Sequence, residues 1–164
     1  MHGVARLSPL ALVAVLSSAA CRDATPRHPD ARGAVDRCLA ATGTTAPTGQ
    51  AAELAAHVAA SCAELYVEQA CRDAHLALAK VGGGPTSPDW IASFSRAQNT
   101  CREVYCPLLP GDKPALCTPA ASSPTEPAAL AAAWNALRTE IYKLDLGASE
   151  AARLTAGFEK NGQR

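Results

Sequence analysis

Two cysteines lie nine positions apart in the segment Ser61-Cys62-Ala63-Glu64-Leu65-Tyr66-Val67-Glu68-Gln69-Ala70-Cys71-Arg72. The Ala-rich composition around them predicts one long helix from Gln50 to Val81. On an α-helix, nine positions correspond to a rotation of about 180° and a rise of roughly 13 Å, so Cys62 and Cys71 cannot bond to each other. Each must pair with a different segment, and the helix is predicted to carry two disulfides.

Apolar residues change sides along this predicted helix. Leu54, Val58, Cys62 and Leu65 form a stripe in its first half, and Val67, Cys71, Ala74, Leu78 and Val81 form one on nearly the opposite side in its second half. A polar strip is predicted to contain Glu53, His57, Glu64, Glu68 and His75. The run Gly82-Gly83-Gly84-Pro85 ends the helix, because glycine permits a left-handed cap and proline cannot continue a helix.

A second helix is predicted to begin after Ser87, with Pro88 in its first turn. Its apolar stripe consists of Trp90, Phe94, Ala97, Cys101 and Val104. Cys71 and Cys101 lie at similar distances from the turn at Pro85, each on the apolar stripe of its own helix. An antiparallel hairpin would bring them together, which predicts a Cys71–Cys101 disulfide.

The remaining cysteines suggest two further disulfides, although spacing alone does not select a connectivity. Cys38, in a short predicted helix over Val35–Ala41, is assigned to Cys62. Cys106 and Cys117 are predicted to close a Pro-rich loop, 106–127, through which no helix can pass. Helices are then expected from Ala128, with the stripe Leu130, Trp134, Leu137, Ile141 and Leu144, and over Ala148–Lys160, with Leu154 and Phe158 inward. The predicted fold class is all-α, a disulfide-stapled antiparallel helical bundle with a Pro-rich loop, over 35–164.

Residues 1–20 have the features of a signal peptide: Arg6, then an apolar run too short to span a bilayer, then small residues. The following Ser18-Ala19-Ala20-Cys21 resembles the lipobox of bacterial lipoproteins. This resemblance implies that Cys21 becomes a lipidated, palmitate-bearing N-terminus and that the protein is anchored in the cell envelope, facing the periplasm or in the outer membrane. The alternative is simple secretion after ordinary cleavage near Ala20. Residues 21–34 are polar with two prolines and are interpreted as a tether. An exported chain with six further cysteines favours three disulfides.

A second resemblance involves the block Cys101-Arg102-Glu103-Val104-Tyr105-Cys106-Pro107-Leu108-Leu109-Pro110 through Cys117. It is similar to Cys-rich helical lipoproteins of unknown role from Gram-negative bacteria. This resemblance covers a small part of the chain and implies no active residues.

Candidate chemistry is sparse in the sequence. No Cys-x-x-Cys pair or zinc-finger spacing occurs, so we expect no metal and no cofactor. His57, Ser61 and Glu64 share a helical face, but nothing supplies an oxyanion hole, and a solvated face is the better interpretation. Trp90 and Trp134 occupy apolar stripe positions and are expected to pack in the core. The net charge of +0 offers no general attraction for nucleic acid.

Two classes of function remain open from the sequence. The first is a non-catalytic, membrane-anchored envelope lipoprotein that binds an unknown envelope protein or helps to assemble a complex. The second is a small-ligand carrier or enzyme with a pocket between the helices and the Pro-rich loop. A concave site with converging polar groups would favour the second class, and an exposed apolar patch would favour the first.

The lipobox resemblance predicts a modified N-terminus. We expect mass spectrometry of the mature protein, purified from its native membrane, to find acyl chains on Cys21 as the first residue. An unmodified chain that begins at Arg22 or later would contradict this prediction.

Overall fold

The computed structural model describes residues 27–118 and 124–162, and within them the chain is all-α. Residues 1–26, which include Cys21, lie outside the described part. The helices are α1 (Ala31–Thr42), α2 (Ala51–Ala63), α3 (Gln69–Leu78), α4 (Pro88–Tyr105), α5 (Pro127–Leu146) and α6 (Ala148–Lys160), with a short 3-10 turn at Ala115–Cys117. Three disulfides join the helices and the loop, which confirms the prediction of a disulfide-stapled helical bundle.

The predicted helix from Gln50 to Val81 is wrong as a single element, because the chain breaks between α2 and α3. Leu65 and Tyr66 are buried in the turn, and their N–H groups donate back to Cys62 and Ala63 in a tightening last turn. The next N–H groups leave the helical pattern altogether. Val67 N–H donates to the carboxylate of Asp145 and Glu68 N–H to the hydroxyl of Tyr105. Partners from other helices therefore replace the intrahelical bonds here.

All three predicted disulfide pairs are confirmed. Cys38 bonds to Cys62 and Cys71 to Cys101, each with a Cα–Cα distance of 4.6 Å. Cys106 bonds to Cys117 across the Pro-rich loop. Cys71 lies near the start of α3 and Cys101 near the end of α4, so these two helices form the expected antiparallel hairpin.

The first helix begins four residues before the predicted start at Val35. Asp30 is its N-cap, and the Asp30 carboxylate accepts a hydrogen bond from Gly33 N–H at 3.0 Å. The last four residues of the predicted tether are thus helical. The backbone N–H of His28 also donates to the carbonyl of Asp145 at 2.8 Å, which fixes the chain against α5.

The last helix closes the bundle against the first. Arg153 pairs with Asp36 at 2.6 Å, and Asn161 donates to the Thr42 hydroxyl at 2.9 Å. The C-terminal end of α6 thus contacts the C-terminal end of α1, so these two helices run parallel. α5 and α6 are joined through Gly147, whose φ of 85° is a conformation that favours glycine. The predicted bounds of α6 are confirmed.

The core is built around α5. Leu137 and Ile141 are fully buried, as their stripe predicts, and they pack in one cluster with residues from every other helix. Leu130, on the same stripe, is exposed at the start of α5. None of the helices in the described part of the chain combines the length and the apolar character that crossing a membrane requires.

Removal of the Cys71–Cys101 bond tests the role of the disulfides in stability. This bond closes a sequence separation of 30 residues, so the double variant Cys71→Ala/Cys101→Ala should lose about 3–4 kcal/mol of unfolding free energy in the chain-entropy model. Urea denaturation followed by circular dichroism measures the loss.

The matched control is Cys106→Ala/Cys117→Ala, which opens a separation of only 11 residues. We expect its loss to be smaller by roughly 1 kcal/mol. The prediction would be contradicted if Cys71→Ala/Cys101→Ala were as stable as the parent, or more stable than Cys106→Ala/Cys117→Ala.

Candidate functional site

Asp145 is a buried carboxylate at which three parts of the fold meet. Its side chain is 1 % exposed and accepts hydrogen bonds from Val67 N–H, at 2.8 Å, and from the Tyr105 hydroxyl. The Tyr105 oxygen in turn accepts from Glu68 N–H at 3.0 Å. The turn between α2 and α3 is therefore tied to α4 and α5 through two side chains.

Burial changes the titration of both side chains in this network. Desolvation raises the pKa of Asp145 to about 6, although the hydrogen bonds from Tyr105 and Val67 act in the opposite direction. Desolvation, followed by the hydrogen bond to Asp145, raises the pKa of the Tyr105 hydroxyl. Tyr105 thus stays protonated and donates to Asp145 at physiological pH.

An aromatic cleft lies on the side of the bundle where α2, α4 and α5 face one another. It has a volume of about 210 Å³. Its lining residues come from five helices and the α2–α3 turn: Val58, Ala59, Cys62, Tyr66, His75, Leu78, Trp90, Phe94, Trp134, Arg138, Tyr142 and Phe158. The turn that Asp145 holds supplies Tyr66, so the Asp145 network helps to shape the cleft.

The rings in the cleft contact one another in two groups. Trp90 and Phe94 are stacked, with centroids 5.2 Å apart, and both are half-buried. Tyr66 is buried, with its centroid 4.6 Å from that of His75 and 5.8 Å from that of Tyr142. The expectation that Trp90 packs in the core is wrong, because Trp90 lines the cleft outside the core cluster.

Two side chains that line the cleft, Trp134 and Arg138, carry hydrogen-bond donors. Trp134 is 5 % exposed, and its indole N–H has no acceptor among the described residues. Arg138, one turn later on α5, donates to Asn135 at 3.0 Å and lies 5.6 Å from the ring centroid of Phe158. No carboxylate of the described residues forms an ion pair with Arg138. An unsatisfied buried N–H is costly.

His75 supplies an acceptor to the same cleft. Its Nδ1 lies 3.1 Å from the carbonyl oxygen of Cys71, and because a carbonyl oxygen only accepts, the ring proton belongs on Nδ1. Desolvation lowers the pKa of His75, and the nearby charge of Arg138 adds to the effect. The imidazole is therefore neutral at neutral pH, with Nε2 as an acceptor. The prediction that His75 lies on a polar strip is wrong, because the residue is buried.

Two further hollows adjoin the aromatic cleft. An apolar hollow of about 390 Å³ shares Val58 and Trp90 with it and is otherwise lined by Ala46, Ala51, Leu54, Ala55 and Pro85. A polar hollow of about 210 Å³ shares Arg138, Tyr142 and Phe158 with it and is otherwise lined by Asn135, Thr139, Thr155 and Glu159. The two hollows have no lining residue in common, so they lie at different sides of the aromatic cleft.

The side chains of Cys71, His75 and Cys101 form a buried group whose candidate ligand atoms lie within 4.8 Å of one another. Such a set resembles a metal site in composition. However, Cys71 and Cys101 are bonded to each other, so their sulfurs are not thiolates. In this oxidised form the group is a disulfide packed against an imidazole.

The other residues singled out in the sequence are not brought together. His57 is exposed on α2, and Glu64 pairs instead with Arg37 at 2.8 Å. Beside the Pro-rich loop there is a wide, open depression, lined by Arg102, Glu103, Cys106, Pro107, Lys113, Leu116, Cys117 and Thr118. The better-enclosed cleft lies elsewhere, between helices. The lipidation site Cys21 falls outside the described residues.

Sequence reasoning missed Asp145, Tyr105 and Arg138. A signal existed for the first two: Asp145 follows Ile141 by four positions and Tyr105 follows Cys101 by four, so each continues an apolar stripe. A polar group at a stripe position indicates a buried hydrogen bond. Arg138 carries no comparable signal.

Comparison of this chain with protein-family models, with curated proteins and with solved structures finds no match. The candidate site is therefore assigned from the geometry of this chain alone.

The raised pKa of Asp145 predicts a pH dependence of stability. The native state binds the Asp145 proton more tightly than the unfolded chain does, so this group stabilises the fold as pH falls from about 7 through 6 towards 4. The variant Asp145→Asn accepts the same two hydrogen bonds without titrating. We expect the free energy of unfolding of the parent, relative to that of the variant, to rise on the order of 2 kcal/mol over this range.

The parent must be compared with Asp145→Asn because His75 changes the stability with pH in the opposite direction. Its pKa is lowered on folding, so its contribution is present above about pH 6.5 and is lost as pH falls. The difference between parent and variant cancels this effect, and urea titrations at several pH values measure it. A difference that is constant with pH would contradict the assignment.

Proposed function

We propose that this protein is a non-catalytic binding protein of the cell envelope, anchored through Cys21, whose binding site is the aromatic cleft. The observation that carries the proposal is the location of the aromatic side chains. The chain has two Trp, two Phe and three Tyr. Every Trp and Phe and two of the Tyr line the cleft, and only Tyr105 does not.

Three of these rings, Tyr66, Trp134 and Tyr142, also belong to the buried core cluster, whereas the other three are less buried. Large rings contribute most to core stability when they are buried. Here Trp90, Phe94 and Phe158 remain half-buried around a concave space instead. Apolar area that stays accessible in a concave site indicates a bound partner or ligand.

The polar groups in the cleft are suited to recognition. Trp134, Arg138 and His75 bring side chains with polar atoms to an otherwise largely apolar lining. No carboxylate, serine or free thiol of the described residues lines it, because Cys62 is bonded to Cys38. This set of groups supports binding and orientation of a ligand more than chemical conversion.

A second candidate function is assembly with another envelope protein. The observation in its favour is the exposure of three large apolar side chains: Ile91 at 51 %, Leu130 at 43 % and Leu108 at 42 %. These residues belong to α4, α5 and the Pro-rich loop, and a protein partner could cover them.

Binding of a neutral fluorescent probe, N-phenylnaphthylamine, tests the cleft as a binding site. We expect one probe per chain with saturable fluorescence enhancement. Val58 lines both the aromatic cleft and the apolar hollow, so Val58→Lys places a long charged side chain where the probe binds. We expect Val58→Lys to weaken probe binding by roughly tenfold or more, since loss of the burial of one apolar side chain costs about 1.5–3 kcal/mol.

The matched control is His57→Lys, the exposed neighbour on the same helix, which should bind the probe like the parent. Circular dichroism verifies that both variants are folded. Absence of saturable binding by the parent, or equal binding by a folded Val58→Lys variant, would contradict the proposed function.

A further inference from the structure

We propose that the ligand of the aromatic cleft is a single-chain amphiphile with a carboxylate head, of the fatty-acid class. This inference rests on the proposed binding function and specifies its ligand. It follows from the order of the three adjoining hollows and from the charge at one of their boundaries.

The apolar end of the site is suited to an alkyl chain. The apolar hollow is lined only by alanine, leucine, valine, proline and tryptophan side chains, and Val58 and Trp90 continue its surface into the aromatic cleft. α2 packs against α1 and α3, and the structure has no extensive packing between α2 and either α4 or α5 in the described residues. The space between these helices is therefore a groove with apolar sides, which an extended chain can occupy.

The other end of the site is suited to an anion. Arg138 lies where the aromatic cleft meets the polar hollow, and it is the only charged side chain among the described residues that line the cleft, whereas Glu159 lines the polar hollow beyond it. Desolvation is the main cause of the lowered pKa of His75, and the positive charge of Arg138 adds to it. His75 is neutral, so the cleft has a net positive charge.

The donors at this end favour a carboxylate as the anion. Arginine presents a planar fork that matches the two oxygens of a carboxylate. The Trp134 N–H, buried and without an acceptor among the described residues, lies one helical turn away on the same helix. Because this nitrogen has almost no accessible surface, a carboxylate oxygen would satisfy the N–H once the Trp134 ring shifts on binding, while Arg138 compensates the charge.

A neutral head group would leave this arrangement incomplete. An alcohol could accept one hydrogen bond but would not compensate the charge of Arg138, and a cationic head would be repelled. The ligand class is thus defined at both ends: an alkyl chain towards Leu54 and Pro85, and a carboxylate towards Arg138.

Displacement of bound N-phenylnaphthylamine by amphiphiles of equal chain length tests the inference. We expect decanoate to displace the probe roughly tenfold or more better than decanol, because a hydrogen bond to a charged group is worth more than one between neutral groups. Decyltrimethylammonium should be the weakest competitor. Decyl phosphate distinguishes a carboxylate from a phosphate head, and we expect it to compete less well than decanoate.

Two variants test the named donors. Arg138→Gln should weaken decanoate roughly tenfold and leave decanol unchanged, and Trp134→Phe, which keeps a ring and removes the N–H, should weaken decanoate by about threefold to tenfold. Arg96→Gln, at an exposed arginine on α4, is the matched control and should behave like the parent. Circular dichroism and probe binding verify that each variant retains its fold and cleft.

The outcomes separate this inference from the proposed function. If the probe binds but decanol competes as well as decanoate, or if folded Arg138→Gln retains the preference for decanoate, the carboxylate assignment is overturned while the cleft remains a binding site. Stronger competition by decyl phosphate than by decanoate also overturns it. If the probe does not bind the parent, the proposed function itself fails.

Discussion

The buried carboxylate of Asp145 constrains more of this structure than any other group described. A charge in a protein interior is costly unless hydrogen bonds compensate for its lost hydration. Asp145 obtains two such bonds, from the Val67 N–H and the Tyr105 hydroxyl. The first of them, together with the bond from the Glu68 N–H to Tyr105, holds the chain outside the helical pattern between α2 and α3. The break directs α3 towards α4 and places Tyr66 beside His75 and Tyr142. The side of the bundle that contains the cleft thus depends on one carboxylate from α5.

The disulfides explain how the chain tolerates an open aromatic cleft. Alanine supplies much of the helical surface but buries little area per residue. Six of the seven aromatic side chains line the cleft, and three of them, Trp90, Phe94 and Phe158, are only half-buried, so they add less buried area to the core. Cross-links lower the entropy of the unfolded chain and offset this weakness. Two of the three bonds lie next to the cleft, because Cys62 lines it and His75 packs against Cys71 and Cys101.

The sequence contained enough information for the class of fold and for the pairing of cysteines. Cys71 and Cys101 sit on helical stripes at matched distances from a Gly/Pro turn, so local periodicity determined a long-range contact. The sequence carried no signal for the break after Ala63, because residues 64–68 are compatible with a helix by propensity. The break arises from Asp145 and Tyr105, which are distant in sequence, and tertiary hydrogen bonds override local propensity there. The prediction that Trp134 packs in the core is confirmed, because its side chain belongs to the buried core cluster. Trp90 also fits a core stripe, and only the separation of α2 from α4 makes it a cleft residue.

The two tryptophan side chains allow the most direct measurement of the central claim, that the aromatic cleft binds an amphiphile through the unsatisfied Trp134 N–H. The chain contains only Trp90 and Trp134, so a nitrogen–proton correlation spectrum of the full protein contains two indole signals, and Trp134→Phe assigns them. On titration with decanoate, we predict a large downfield shift of the Trp134 indole proton as it gains a charged acceptor, with a smaller change at Trp90. Saturating decanoate that leaves both indole signals unchanged would contradict the account.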